Sequence, residues 1–257
     1  MSFCSPSRNQ SDFTCFTREE LMGMAKVWNE SGSPLIDLTL DKKGVWSQLQ
    51  DRFSTVCKQD ESCWVDNKDI MEKLYLEYPR LYESINYFAL KPKGTKKKNG
   101  WLSTNNISFV MKQYEKVFPQ FKFLSCSPSD YYKVAPNVVA KNYAAIVFNL
   151  DNSHQPGSHW VAVFFDNTVS PPEIEYFDST GSKPNKNLLA FLHLPTFRTF
   201  QIKWSTYPHQ KGDSACGIYA MYYILSRLKG ETKEEMNEKR ISDTEMNNYR
   251  SCLFRPN

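Results

Sequence analysis

A thiol, an imidazole, a carboxylate and a primary amide stand in this chain in settings that suit covalent acyl transfer. In His209-Gln210-Lys211-Gly212-Asp213-Ser214-Ala215-Cys216-Gly217, the cysteine follows polar turn residues and opens an apolar series at helical spacing: Ile218, Met221, Tyr222 and Leu225. A helix N-terminus presents the positive end of its dipole, which favours thiolate over thiol, the form that attacks a carbonyl. Gly217 removes bulk beside the sulfur, and the Cys216 N–H and the Gln210 amide are candidates to face a developing oxyanion. In Gly157-Ser158-His159-Trp160-Val161-Ala162-Val163, a histidine precedes a strongly apolar strand, where its ring would sit at the edge of the core. In Ile174-Glu175-Tyr176-Phe177-Asp178-Ser179, a second strand ends in a carboxylate that an adjacent strand would bring to a ring nitrogen of His159. Each segment alone also has a plainer reading: a hydrogen-bonded boundary histidine, a turn-forming aspartate, a buried inert thiol.

The elements that would carry these groups can be read from hydrophobic periodicity. Residues 1 to about 90 read as helical with loops: Thr17 to Glu20 forms a capping-box pattern before Leu21, Met24, Ala25 and Trp28, and a second helix is expected from Asp69 to Tyr87. The run Lys91-Pro92-Lys93-Gly94-Thr95-Lys96-Lys97-Lys98-Asn99-Gly100 cannot sustain helix or strand. The boundary between an N-terminal domain, 1–98, and a second domain, 99–257, is therefore expected there. Beyond it the pattern is mixed α and β, with a helix from Ile107 to Val117 and strands at Ala144 to Leu150, Trp160 to Asp166 and Glu173 to Phe177. A helix follows Cys216, and a last one is opened by Ser242-Asp243-Thr244-Glu245.

Composition bounds the remaining readings. The chain has 257 residues with 40% apolar and 23% charged side chains, which excludes wholesale disorder and fibrous architectures. Lys and Arg exceed Asp and Glu by only four, 32 against 28, too mild an excess for a dedicated nucleic-acid binder. The five lysines Lys91, Lys93, Lys96, Lys97 and Lys98 read as a solvated, flexible loop, with contact to nucleic acid or an acidic partner as the alternative. The longest apolar stretches are far below the roughly 18 residues that span a bilayer, so no membrane partner is expected. The first residues lack an apolar signal region, pointing to a reducing compartment. Seven cysteines form no CxxC pair, and the four histidines show no ligand spacing, so no metal site is expected.

The order His159-Trp160, then Phe177-Asp178-Ser179, then Gln210 six residues before Cys216-Gly217, resembles the adenain and SUMO-protease superfamily of cysteine proteases. The likeness covers roughly residues 100 to 257. It is nearest to the core polyprotein proteases of large cytoplasmic DNA viruses, of the African swine fever virus type, whose pattern is echoed in His159 to Ala162, Glu175 to Phe177, His209-Gln210 and the tail from Arg240 to Arg255. The resemblance implies an α/β (α+β) catalytic domain with a central mixed sheet flanked by helices, behind a mainly helical N-terminal arm. It implies a catalytic set of Cys216, His159, Asp178 and the oxyanion donor Gln210, with Trp101 and Trp160 binding substrate and no cofactor. The substrates implied are viral structural polyproteins cut after Gly-Gly pairs, with the enzyme in the host cytoplasm, at viral factories, and packaged in the virion. The alternative is an isopeptidase acting on SUMO, ubiquitin or a related protein. Trp101-Leu102-Ser103-Thr104 stands where the eukaryotic SUMO proteases have Trp-Leu-Asn-Asp, so the partner-binding acidic residue is missing. The African swine fever virus type carries Asn at the third triad position, so Asp178 is closer to the wider superfamily. Trp101 and Trp160 as plain core aromatics remain the alternative to a substrate role.

Overall fold

The computed structural model describes residues 3–32, 34–130, 141–238 and 240–256. The chain divides into two compact units, residues 1–92 and 93–257. The division falls at Pro92 rather than after Lys98, because the lysine-rich loop is tied to the second unit: Gly94 donates its N–H to the Arg255 carbonyl at 2.9 Å, and Lys93 forms a bridge with Arg255.

The first unit is helical, with α1 (Arg18–Ser31), α2 (Lys42–Cys57), α3 (Lys68–Glu77) and α4 (Pro79–Ser84). The Thr17/Glu20 capping box forms as its spacing predicts, and Asp41 and Asn67 cap α2 and α3. The single helix expected from Asp69 to Tyr87 is broken: Pro79 lacks the N–H that a continuing helix needs and instead starts α4, after which residues 85–89 widen into a π-turn. Phe16, Phe53 and Trp64 pack ring against ring in the core of this unit. Cys4 is bonded to Cys15 and Cys57 to Cys63, so four thiols that a reducing compartment would keep free are paired. Cys126, Cys216 and Cys252 remain free.

The second unit runs α5 (Thr104–Val117), β1 (Phe121–Pro128), β2 (Tyr143–Asn149), β3 (Trp160–Asp166), β4 (Glu173–Phe177), α6 (Lys186–Leu192), β5 (Gln201–Trp204), α7 (Cys216–Leu228), α8 (Lys233–Glu238) and α9 (Asp243–Leu253). Among the described residues five strands form one mixed sheet in the order β1-β2-β3-β4-β5, with parallel pairs at both edges and antiparallel pairs within. The central strand β3 is buried on both faces, as its unbroken apolar sequence requires. Trp160, Ala162 and Phe164 pack under α5, α7 and α9, while Val161, Val163 and Phe165 pack on the α6 side, which is the period-2 alternation of a strand. Among the described residues no helix is long and apolar enough to cross a membrane.

One buried polar network fixes the helix that carries the thiol to the sheet that carries the carboxylate. Arg227 of α7 donates from Nε and Nη2 to both oxygens of Glu175 in β4, at 2.8 and 2.9 Å, and Tyr223 donates to the same carboxylate at 2.6 Å. Glu175 lies three residues before Asp178, and Tyr223 lies seven after Cys216. A buried carboxylate is tolerated here because both of its oxygens accept charge-assisted bonds.

Candidate active site

Cys216 is the first residue of α7 and is 2% exposed. The preceding Ala215 offers no side-chain cap, its carbonyl takes the Ile218 N–H at 2.9 Å, and the sulfur sits at the positive end of the helix. Gly217 is favoured by packing: a Cβ there would crowd Leu102 Cδ1 at 3.1 Å and Trp160 Cδ1 at 3.2 Å. Its small size lets the start of α7 lie against the start of β3.

That close approach brings His159, the residue just before β3, to the thiol. His159 Nε2 donates to Asp178 Oδ1 at 2.8 Å, which leaves Nδ1 for Cys216, whose sulfur is close enough to act on the ring's charge. Burial by itself lowers the imidazole pKa, but the hydrogen bonds and charges of Asp178 and Cys216 outweigh it and raise it to about 9. Asp178, just past the end of β4, is 1% exposed; although burial raises its pKa, the bonds from His159 and Thr180 hold it below the ordinary carboxylate value. Oδ1 accepts from the Thr180 N–H and the Thr180 hydroxyl, both at 2.8 Å, and the Tyr176 hydroxyl points at Oδ2 at 3.4 Å. The carboxylate is fixed from three directions, so the imidazole orientation is fixed as well.

Gln210 lies in the loop that leads to Cys216, and this loop is sewn to the strand end beyond Asp178. Ser179 accepts at its carbonyl from the N–H groups of His209 and Gln210, at 2.9 and 2.8 Å. The Ser179 hydroxyl donates to Gln210 Oε1 at 2.6 Å, and Gln210 Nε2 donates to the Gly212 carbonyl at 2.7 Å, leaving its second hydrogen uncommitted by these bonds. From the far side, Asp243 Oδ2 accepts from the N–H groups of Lys211 and Gly212, and Arg250 donates to the Ser214 carbonyl at 2.8 Å. Burial lowers the Arg250 pKa, and the charge of the nearby Cys216 sulfur opposes that shift, which places a cation within electrostatic reach of the thiol.

The two tryptophans differ. Trp160 is 6% exposed and donates its indole N–H to the Leu102 carbonyl at 2.9 Å, whereas Trp101 is 45% exposed. Both line a cleft of about 470 Å³ with Asn149, Asp151 and Gly157. The other free thiols have different settings: burial pushes the Cys126 pKa well up, and Cys252 is exposed on α9.

The structure therefore brings His159 together with Asp178, to which it hydrogen-bonds, and with Cys216, and places Gln210 in the loop beside them. Sequence reasoning missed Ser179 and Thr180 as orienting groups, and also Asp243 and Arg250. Ser179 was visible in the Asp178-Ser179 pair, but the α9 residues reach the cysteine loop only through tertiary contact.

Residues 102–256 match the Ulp1 protease family, C-terminal catalytic domain. The whole chain is 30% identical to a protein of Acanthamoeba polyphaga mimivirus named for thiol protease activity, over 99% of this chain and 94% of that one. The chain belongs to the Ulp1 protease family. It is a cysteine peptidase of that family, with relatives in viruses. The cysteine protease of African swine fever virus is 31% identical over 58% of this chain and 60% of that protein, and in some isolates it carries the name SUMO-1 cysteine protease. The crystal structure of that enzyme superposes with a TM-score of 0.70 at 22% identity, over 100% of this chain and 96% of that one, so this Ulp1-family chain shares its fold, N-terminal helices included.

Proposed function

We propose that this Ulp1-family peptidase is an endopeptidase that cuts structural polyprotein precursors of a large DNA virus after Gly-Gly pairs, with Cys216 as nucleophile. The observation that carries the reading is His159, held by Asp178 at 2.8 Å and set beside Cys216 at the start of α7. Cys216 attacks the scissile carbonyl as thiolate, and the imidazolium of His159 delivers its proton to the departing amine. A water then enters, His159 takes a proton from it, and the thioester bond breaks to return the thiolate. The Cys216 N–H and the Gln210 amide hold the oxyanion in both steps. Asp178 keeps the ring in place and stabilises its charged form. Trp101 closes over the glycines from the solvent side, and Trp160, held by Leu102, forms the floor.

The helical N-terminal unit, residues 1–92, serves as an arm domain, and the enzyme acts in the host cytoplasm at viral factories and is carried in the virion. A second reading, removal of SUMO or a ubiquitin-like protein, is favoured by the name that some African swine fever virus relatives carry. Thr104 opposes it, because the acidic position that would meet such a partner is neutral here. The deciding experiment incubates wild type and Cys216→Ala with core precursors of the virus and sequences the new N-termini. Fragments that begin after Gly-Gly only with wild type support the endopeptidase. Release of a ubiquitin-like protein with no precursor cleavage supports the isopeptidase.

A further inference from the structure

The lysine run between the two units does not behave as a flexible charge tract. Gly94 is held by the Arg255 carbonyl, the Thr95 hydroxyl donates to the Lys97 carbonyl at 2.8 Å, and Gly100 donates to the same carbonyl at 2.9 Å. Asn99 takes the left-handed backbone conformation, φ 56°, that completes the turn. The loop presents Lys96, Lys97 and Lys98 to solvent on a defined scaffold. Among the described residues none of these three has a carboxylate within ion-pair distance.

These lysines line a groove of about 680 Å³ together with Trp101, Asp213 and Ser214. Two features tie it to the reaction. Trp101 also lines the cleft shared with Trp160, so the groove adjoins that cleft at the tryptophan. Its other wall, Asp213 and Ser214, lies three and two residues before Cys216. Three cations against one carboxylate give the groove a net charge of +2, which complements a short run of carboxylates.

We infer that this groove is a subsite for an acidic stretch of the polypeptide substrate, close to the cleaved bond, with Lys96, Lys97 and Lys98 as its specificity determinants. The inference rests on the endopeptidase reading. It selects a peptide over a nucleic acid because the groove ends at the cysteine loop, where a substrate chain must pass. Exposed pairs are individually weak, so the preference is the sum of several and is sensitive to salt.

The test measures kcat/KM of the full-length protein on three Gly-Gly-X peptides: one with three glutamates before the glycines, one with three after X, and one with serines at both places. One acidic peptide is expected to exceed the serine peptide by about tenfold at low salt, falling below about threefold at about 0.5 M NaCl. Lys96→Ser/Lys97→Ser/Lys98→Ser brings that ratio close to one, and the matching triple arginine variant restores it. Equal cleavage of all three peptides by wild type rejects the subsite and leaves the endopeptidase standing. No cleavage of any peptide, with no labelling of Cys216 by an electrophile, rejects both. An oligonucleotide that accelerates cleavage of the serine peptide in wild type but not in the serine variant would assign the groove to nucleic acid and overturn the inference.

Discussion

The Ser179 hydroxyl donates to Oε1 of Gln210 at 2.6 Å, which fixes the amide so that its nitrogen is turned toward Gly212 and the cysteine loop. The residue after Asp178 thus sets the orientation of the Gln210 amide, the proposed oxyanion donor. Gln210→Ala should lower kcat by roughly 10²- to 10³-fold with little change in KM, because the lost donor pairs with charge absent from the ground state. Ser179→Ala leaves the amide in place but free to turn over, so kcat should fall less, by roughly 3- to 10-fold. Steady-state kinetics on a Gly-Gly-X peptide decides this, and a pure KM effect in both variants would make Gln210 a binding residue instead.

The pH profile follows from the raised pKa of His159. The ring is charged below about 9 and loses its proton above that, so the general acid disappears and kcat/KM should fall on an alkaline limb near pH 9. For stability the sign is the same: a raised folded pKa contributes fully below the ordinary 6.5 and is lost as pH rises through about 9. Asp178→Asn removes the carboxylate that raises it, so the alkaline limb should move to lower pH while some activity survives. An unchanged limb would show that another group orients the ring.

Glu175 gives a stability prediction. Glu175→Ala leaves the half-buried Arg227 guanidinium without its two-pronged partner, with Asp166 Oδ2 at 3.4 Å still in reach, at a cost of about 3 kcal/mol. The thermal midpoint should drop on the order of 10 °C. A change of only a degree or two would mean that the network contributes little to holding α7 against β4.

Trp101 is exposed enough to be a movable wall, whereas Trp160 is built into the core. Two indoles beside a glycine exclude a β-carbon, whose insertion costs about 1–3 kcal/mol of overpacking. Trp101→Ala should therefore relax discrimination between Gly-Gly-X and Gly-Ala-X peptides more than it slows cleavage of the first. Equal discrimination by both proteins would remove Trp101 from the channel.

What was legible in the sequence is what short-range pattern controls. The α1 cap, β2 to β4, α7 and the α9 cap follow from periodicity and capping residues within each segment. The His159, Asp178 and Cys216 segments each sit at an element end, where strand-to-loop and loop-to-helix changes are readable. β1 and β5 were not foreseen: Phe121–Pro128 carries Lys, Ser and Cys among its aromatics, and Gln201–Trp204 is a four-residue edge strand with little apolar content. The lysine loop reads as flexible because its order comes from Arg255, over 150 residues away in sequence. Asp243 and Arg250 carry no local signal, since their role is to reach a loop some 30 residues earlier. The two disulfides likewise depend on which segments the helices bring together.

The most direct measurement of the central claim is covalent capture. A peptide ending in Gly-Gly with a vinyl sulfone in place of the scissile bond is incubated with wild type, Cys216→Ala and His159→Ala, and the adducts are mapped by tandem mass spectrometry. The arrangement predicts one adduct, on Cys216, formed slowly in His159→Ala and absent from Cys216→Ala. Modification of Cys126 or Cys252 first, or cleavage of a Gly-Gly-X peptide that persists in Cys216→Ala, would contradict it.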